Sequence, residues 1–349
     1  MTVLGVVGAG NWGSNWVRTL AALPDVELRW SCDLNAHSLE RVRRQFPHVK
    51  TTSNLNDLLD DKDLEGLVIA TIAPTHIEIA TKALEAGKHV MVEKPMTLVT
   101  EDSVKLVHLA RMRGRILMVG HLLEYHPAIL YIKNMIDSGE LGEIYYIYSQ
   151  RLNLGTVRSD ENAWWSLAPH DISVACRLLN GWPLSVQCRG QNVLQPNIAD
   201  VVFATLEFPQ GHIAHMHVSW LDPHKTRKLT VVGSKKMVVF DDTLPAYKVT
   251  VYDKGFQVKQ KIDSYADWIS LRQGDIVIPK IDTAEPLQRE AKHFAECIRK
   301  QTPPVSGGES GMQVVAVLEH GQRSLDRQGE MVAIPSLESF MPKGVRLSA

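Results

Sequence analysis

No run of apolar residues in this chain approaches the ~20 that a membrane-crossing helix needs, so no span is expected. No block of lysine and arginine stands out either. The formal net charge is −1, from 38 basic and 39 acidic residues, a balance without the electrostatic footprint of a nucleic-acid binder. Cysteine is scarce. Cys32, Cys176, Cys188 and Cys297 lie far apart with no CxxC pair, which argues against a structural zinc site and a disulfide framework. Repeats and low-complexity tracts are also missing. The opening residues Met1-Thr2-Val3-Leu4-Gly5-Val6-Val7 lack a basic leader and a small-residue cleavage site, and read as a strand instead of a signal peptide. A reduced, cytoplasmic protein is therefore expected. With 349 residues, 44% of them hydrophobic and 22% charged, the chain is long for one core and too apolar for disorder. Two domains are the natural expectation.

What is present begins with Gly8-Ala9-Gly10-Asn11-Trp12-Gly13, directly after the apolar run Val3–Val7. Trp16, Val17, Leu20 and Leu23 then follow at helical spacing. In this strand–turn–helix context a GxGxxG pattern has a mechanism. Gly8 permits the tight turn, Gly10 lets a pyrophosphate approach the backbone, and Gly13 lets helix and strand pack closely. The helix amino terminus, with Asn11 and Trp12 beside it, then offers unpaired N–H groups to the phosphates. Alone the pattern is weak, because glycine-rich turns also serve structure.

A second strand, Val26–Cys32, ends at Asp33. An acid roughly 20 residues beyond the glycines is placed to bind the adenosine ribose hydroxyls. Asp33 would repel the extra phosphate of NADP, and no arginine follows it directly; the nearest, Arg41, Arg43 and Arg44, fall on the next helix. NAD is expected over NADP, the other reading of Asp33 being a helix-capping acid. The alternation continues through strands at Leu67–Thr71, His89–Glu93 and Ile116–Gly120, with helices at Ile77–Ala86 and Glu101–Arg113. Such a pattern implies an α/β, doubly wound parallel sheet of Rossmann type with its ligand at the strands' carboxyl ends. Thr71, Pro74, His76, Glu93 and Lys94 lie at that edge and are candidate cofactor contacts.

Glu93-Lys94-Pro95 closes the apolar run His89–Val92. Proline fixes its own φ and biases the preceding residue away from helix, so the backbone carrying Lys94 is stiff. A second candidate is His170, followed by Asp171. Hydride transfer from a secondary alcohol needs a base for the hydroxyl proton beside the nicotinamide ring. Histidine can accept that proton, and a lysine can stabilise the developing alkoxide. Taken alone, Lys94 reads as a solvated strand-end lysine and His170 as a core histidine; the rest of the pattern changes that weighting.

The combined spacing resembles the glucose–fructose oxidoreductase, inositol dehydrogenase and rhizopine-catabolism (Gfo/Idh/MocA) family. The residues that carry the likeness are the GAGNWG turn, Ala70-Thr71 with Pro74-Thr75-His76, Ala83-Leu84-Glu85-Ala86-Gly87-Lys88-His89-Val90, Glu93-Lys94-Pro95, Leu141-Gly142-Glu143-Ile144 and His170. The resemblance implies that Lys94 and His170 are catalytic. It also implies a following α+β domain with a large open, mostly antiparallel sheet, helices on one face and subunit contacts on the other. Ser166 stands where the family usually has aspartate four residues ahead of the histidine. Arg151-Leu152-Asn153, Arg158-Ser159-Asp160-Glu161-Asn162 and Ala168-Pro169-His170-Asp171 resemble the branch acting on the 3-hydroxyl of a UDP-linked aminosugar or its uronic acid. On that likeness Tyr125, Arg151, Asn153, Arg158, Trp165, Ser166 and Asp171 are candidate substrate contacts.

The expected division is 1–120 for the dinucleotide-binding domain and 121–349 for substrate binding and oligomerisation, with carboxyl-terminal helices free to pack back on the first. In the second part, strands are expected at Ile144–Leu152, Leu184–Gln191, Val201–Phe208, Gly211–Trp220, Lys228–Val232, Val238–Phe240 and Ala246–Tyr252, and helices at Pro286–Lys300 and Met312–Arg327. His215 and His217 share one sheet face without a third ligand at suitable spacing, so no metal is expected. The open apolar face of Val201–Leu206 and Ile213–Val218 leads to the expectation of a homodimer or homotetramer. The leading reading is an NAD-dependent dehydrogenase of a nucleotide-linked sugar. Its rivals are a free-sugar or cyclitol dehydrogenase, a non-catalytic NAD-binding regulator, and a redox-neutral hydrolase using tightly held NAD.

Overall fold

The computed structural model describes residues 1–258 and 269–340. The chain divides into two compact units. Met1–Tyr125 and Ala284–Glu319, with the short helix Leu337–Phe340, make the first; His126–Thr283 and His320–Ser336 make the second. The break after Tyr125 falls five residues later than the strand end at Gly120 suggested. Among the described residues, no helix is long and apolar enough to cross a membrane.

The first unit alternates strand and helix: β1 Thr2–Val7, α1 Gly13–Ala22, β2 Val26–Cys32, α2 Ala36–Gln45, β3 Lys50–Thr52, α3 Asn56–Leu59, β4 Gly66–Ile69, α4 His76–Glu85, β5 His89–Glu93, α5 Thr100–Arg113 and β6 Leu117–Gly120. All six strands are parallel, in the order β3-β2-β1-β4-β5-β6. Central strands covered on both faces need unbroken apolar sequence, and Leu67, Val68, Ile69, Val90, Met91 and Val92 are fully buried. The strand order reverses between β1 and β4, so their carboxyl ends flank the crevice where doubly wound sheets take ligands. The edge strand β3, three residues long with no apolar pattern, was not legible in the sequence.

The second unit contains α6 Pro127–Asp137, β7 Ile144–Leu154, α7 Ala163–Leu179, β8 Ser185–Gln191, β9 Val201–Glu207, β10 Ile213–Ser219, β11 Leu221–Gly233, β12 Met237–Asp241, β13 Val249–Val258 and β14 Ile269–Val277. The chain then returns to the first unit as α8 Pro286–Lys300. It continues as α9 Gly308–Asp326 and ends its pairing as β15 Val332–Ala333. The second sheet runs β14-β13-β12-β11-β7-β10-β9-β8-β15 and is antiparallel except for β7 beside β10. Helix α7 packs on β7, β9 and β10. The Asn162 side chain caps it, accepting from the Trp165 N–H.

Helix α7, not among the elements expected from the sequence, carries Pro169 in its interior. A proline there removes one i→i−4 donor and ordinarily breaks a helix, yet α7 runs through it, held by burial of Trp164, Ala168, Ile172 and Ala175. The opposite face of the sheet is open. Phe203 and Ile213 are exposed, Phe203 stacks on His217 at 4.2 Å, and His215 pairs with Thr205 at 3.1 Å. These cross-strand contacts account for the alternating histidines.

Trp164 of α7 meets Gly321 of α9, where a Cβ would lie 2.6 Å from Cε2 of the indole. Gly321→Ala is expected to cost ~1–3 kcal/mol by overpacking. Urea unfolding checks this as a lower midpoint at unchanged slope; an unmoved midpoint would mean that the indole shifts freely.

Candidate active site

The glycine turn has the geometry its spacing anticipates. Gly8 sits at φ +92°, and a Cβ there would come within 2.7 Å of the Ala70 carbonyl. A Cβ on Gly13 would overlap the Gly8 carbonyl oxygen. Both positions therefore exclude a side chain. Gly10 instead faces open space. Helix α1 starts behind it with Trp12 as N-cap, no side-chain cap and no acid in the first turn. Such a helix end, with uncapped N–H groups and a partial positive charge, suits a dinucleotide pyrophosphate.

Asp33 grips this turn. One carboxylate oxygen accepts from the Ala9 N–H at 2.5 Å, the other from the Asn35 N–H at 2.7 Å. Asn35, not Asp33, caps α2, which removes the alternative reading of Asp33. Lone pairs on both its oxygens remain for ribose hydroxyls. The expectation that no arginine stands beside this acid needs correction in space. Arg41 reaches back from α2 and donates to the Ala9 carbonyl oxygen at 2.7 Å, placing a guanidinium at the same turn. A helical residue eight positions on was not seen as a neighbour from spacing alone.

At the end of β5 the Glu93 carboxylate is sealed. One oxygen accepts from both the Trp12 indole N–H and the Trp16 indole N–H, the latter at 2.6 Å. The other accepts from the Lys94 backbone N–H at 3.3 Å. Burial raises the pKa of Glu93, while the two indoles and Lys94 oppose that rise. A Cβ on the paired residue Gly120 would lie 2.8 Å from this carboxylate, so β6 must carry glycine here. Glu93 is thus a tie between α1, β5 and the glycine turn, and Lys94 leaves at the carboxyl edge.

His76 is also internal. Its Nδ1 lies 2.9 Å from the Pro95 carbonyl oxygen and its Nε2 3.1 Å from that of Thr71. Being 1% exposed, it braces the Thr71 loop against the segment after Lys94, and the expectation that it touches cofactor is not supported. Thr71 keeps its hydroxyl on Thr75 at 2.8 Å, and Pro74 is exposed in the following 3₁₀ turn. Tyr125 is buried, its hydroxyl at 3.1 Å from Ser306 Oγ and its ring beside His293. Substrate contact by Tyr125 is therefore set aside in favour of packing. Glu290 of α8 is fully buried with neither oxygen hydrogen-bonded, and burial with the nearby Glu93 and Glu124 raises its pKa well above the usual range. Burial there favours its neutral form.

In the second unit, Arg151 of β7 forms a two-pronged pair with Asp171 of α7: Nε donates at 2.7 Å and Nη2 at 3.2 Å. Both side chains are largely buried. The expected free guanidinium at Arg151 and free carboxylate at Asp171 are thereby committed to one another. Arg158 pairs with Glu161 at 3.0 Å on the exposed side. Asn153 Oδ1 accepts from Arg227 at 3.3 Å, and Arg227, opposite Arg151 in the strand register, carried no motif that would have marked it. Ser166 precedes His170 by one turn, on the same face of α7. Trp164 is core, while Trp165 is partly exposed.

Residues 3–121 match the family model described as an oxidoreductase family with NAD-binding Rossmann fold, and residues 129–239 match the GFO/IDH/MocA C-terminal domain. The chain belongs to this family and is an NAD-binding oxidoreductase. It is 26% identical over 314 residues to a scyllo-inositol 2-dehydrogenase (NAD(+)) of Bacillus subtilis, covering 86% of this chain and 87% of that one. Over 316 residues it is 26% identical to the UDP-N-acetylglucosamine 3-dehydrogenase of Acidithiobacillus ferrooxidans, covering 89% and 93%. Among solved structures, a levoglucosan dehydrogenase in complex with NADH and levoglucosan superposes with a TM-score of 0.82 at 20% identity, covering 96% and 100%. That last likeness speaks for the fold.

His121, next after β6, is 1% exposed with neither ring nitrogen hydrogen-bonded; burial, then the Lys94 charge, pushes its pKa from 6.5 to about 3. Burial and Arg115 push His89 from 6.5 to about 4. Both histidines take up a proton more readily when unfolded, so stability is full above the unfolded value and falls as pH drops below it. Urea midpoints should therefore decline between pH 6.5 and 5, before most carboxylates titrate (~4). His121→Leu should make that decline shallower; an equally steep decline would assign the proton uptake elsewhere.

Proposed function

We propose that this chain oxidises a secondary hydroxyl of a sugar, with NAD as hydride acceptor and a nucleotide-linked sugar oxidised at the 3-position as the preferred substrate. The carrying observation is the exit of β5. Glu93 is fixed beneath two indoles, so Lys94 emerges on stiff backbone at the sheet edge that takes a dinucleotide. In this reading Lys94 stabilises charge on the substrate oxygen and His170 accepts its proton. The nicotinamide, when bound, supplies the acceptor carbon for hydride. Ser166, one turn before His170, stands in place of a carboxylate, which leaves more of the electrostatic work to Lys94. The relatives support a hydroxyl-bearing ring as substrate. Free-sugar or cyclitol oxidation is the second reading, favoured by one observation: Arg151 is already committed to Asp171 in a largely buried pair and is not open to a diphosphate. Retention of Lys94 and His170 speaks against a pure NAD-binding regulator.

NADH formation across nucleotide sugars, free sugars and cyclitols separates these readings. Lys94→Ala and His170→Ala are each expected to lower turnover ~10²–10⁴-fold while NAD still binds. Hydride transfer surviving His170→Ala would move the proton acceptor to another group. For the cofactor we infer NAD over NADP from Asp33. Titration of both into Asp33→Ala should narrow the difference, with the Arg41 guanidinium then able to meet a 2′-phosphate; tighter NADP binding by the unaltered protein would overturn the preference.

The same reading has a second copy cover the outer face of the second sheet, where Tyr146 and Ile213 are register neighbours and both exposed. Ile213→Glu is expected to shift the protein toward monomer in sedimentation, and a monomer before mutation would end that part of the proposal. The four free cysteines are all buried, which suits the reducing cytoplasm this reading assumes.

A further inference from the structure

Arg151 and Arg227 stand directly opposite each other on β7 and β11. Directly opposed residues of an antiparallel pair project to one face. Like charges in that position repel, and one carboxylate, Asp171, answers the pair. It is spent on Arg151 alone, which gives it the Nε and Nη2 edge of its guanidinium. Arg227 uses its other side: Nη1 donates to the Leu152 carbonyl at 2.8 Å and the Thr226 carbonyl at 2.9 Å, and Nη2 donates to Asn153 Oδ1 at 3.3 Å. All three acceptors are neutral, and its Nε donates to no described residue. The next carboxylate, Asp242, is held by Lys248 and by His126 at 3.4 Å. Burial and Arg151 disfavour the charge on Arg227, and Asp171 and Asp242 support it from farther away. A guanidinium keeps its proton under these conditions. The cluster therefore holds one positive charge more than it neutralises, and Arg227 is partly exposed, with Nε unbonded among the described residues.

We propose that Arg227 anchors an oxyanion of the substrate, a carboxylate or a phosphoryl group, on its Nε edge. Paired N–H donors on a guanidinium edge match either anion two-pronged. The anchor lies beside Asp171, the neighbour of His170 in α7. Arg227 would thus set which substrates are held at the end of the unit that carries the proposed proton acceptor. The three neutral bonds fix the guanidinium before substrate arrives, so little ordering remains at binding. This inference rests on the sugar-oxidoreductase reading for its biological meaning, but the anion site itself does not depend on turnover.

The test is calorimetric titration of the full chain, saturated with NAD, using D-glucuronate, D-glucose and UDP as probes on the unaltered protein, Arg227→Gln and Arg227→Lys. At least one anionic probe is expected to bind the unaltered protein and lose about tenfold or more in affinity in Arg227→Gln. Glucose and NAD affinities should stay the same. Arg227→Lys, which keeps the charge without the planar edge, should fall between, and it carries the test if Arg227→Gln does not fold. A loss confined to glucuronate assigns a carboxylate, and one confined to UDP a phosphoryl group. Anionic probes that bind all three proteins alike, or bind none, overturn the proposal. Arg227-dependent binding without turnover of any sugar would sink the dehydrogenase reading and leave the anion site standing. Sugar turnover together with anionic-probe binding that is indifferent to Arg227 would do the reverse.

Discussion

A carboxylate without water is the constraint on which the dinucleotide end of this molecule depends. Glu93 is removed from solvent at the close of β5, and removing an ionisable group from water is unfavourable unless its oxygens are met. They are met by Trp12 from the glycine turn, Trp16 from α1 and the backbone of Lys94. Two segments distant in sequence, 12–16 and 93–94, are thereby tied through two oxygen atoms. Gly120 completes the enclosure by having no side chain to intrude. If the tie were loosened, the glycine turn and the backbone bearing Lys94 would lose their common reference point. The position of Asp33, which holds the far side of the same turn through the Ala9 N–H, follows the same logic with a more accessible acid.

Much of the first unit was legible because its signals are local. A strand covered on both faces must be apolar throughout, a turn that abuts another backbone must be glycine, and both facts are written within a few residues. The same holds for α8, whose buried Leu287, Ala291, Phe294 and Ile298 recur at helical spacing. Long-range pairing was not legible. Nothing near Trp12 announces Glu93, and nothing near Arg151 announces that Asp171 will close on it across α7. Tyr125 looked available because it follows a strand end, yet Ser306, from a segment far along the chain, takes its hydroxyl. Polar residues near a motif are easily read as ligand contacts when their partners lie far away in sequence.

The second unit shows where pattern reading loses force. Strands β9 and β10 alternate cleanly, with Val202, Ala204 and Leu206 inside and Phe203 outside, and were found with nearly correct bounds. Strand β11 extends several residues earlier than its apolar core, because Thr226–Lys228 and, across an irregularity, Leu221 pair with β7 where side-chain alternation has stopped. Strand β14, with polar residues through Leu271–Asp275, gave no signal at all; its partner β13 supplies the order. Helix α7 was not anticipated, nor was the fact that Ser166 and His170 share a face.

Trp12 has one further property. Trp16, Trp164 and Trp220 are buried, whereas Trp12 is 40% exposed and sits at the mouth of the glycine turn with its indole N–H on Glu93. An indole so placed is a built-in optical reporter. Its emission would respond to the charge on the carboxylate it touches and to any ring system or phosphate brought over the turn, so a cofactor arriving there would be readable without a label.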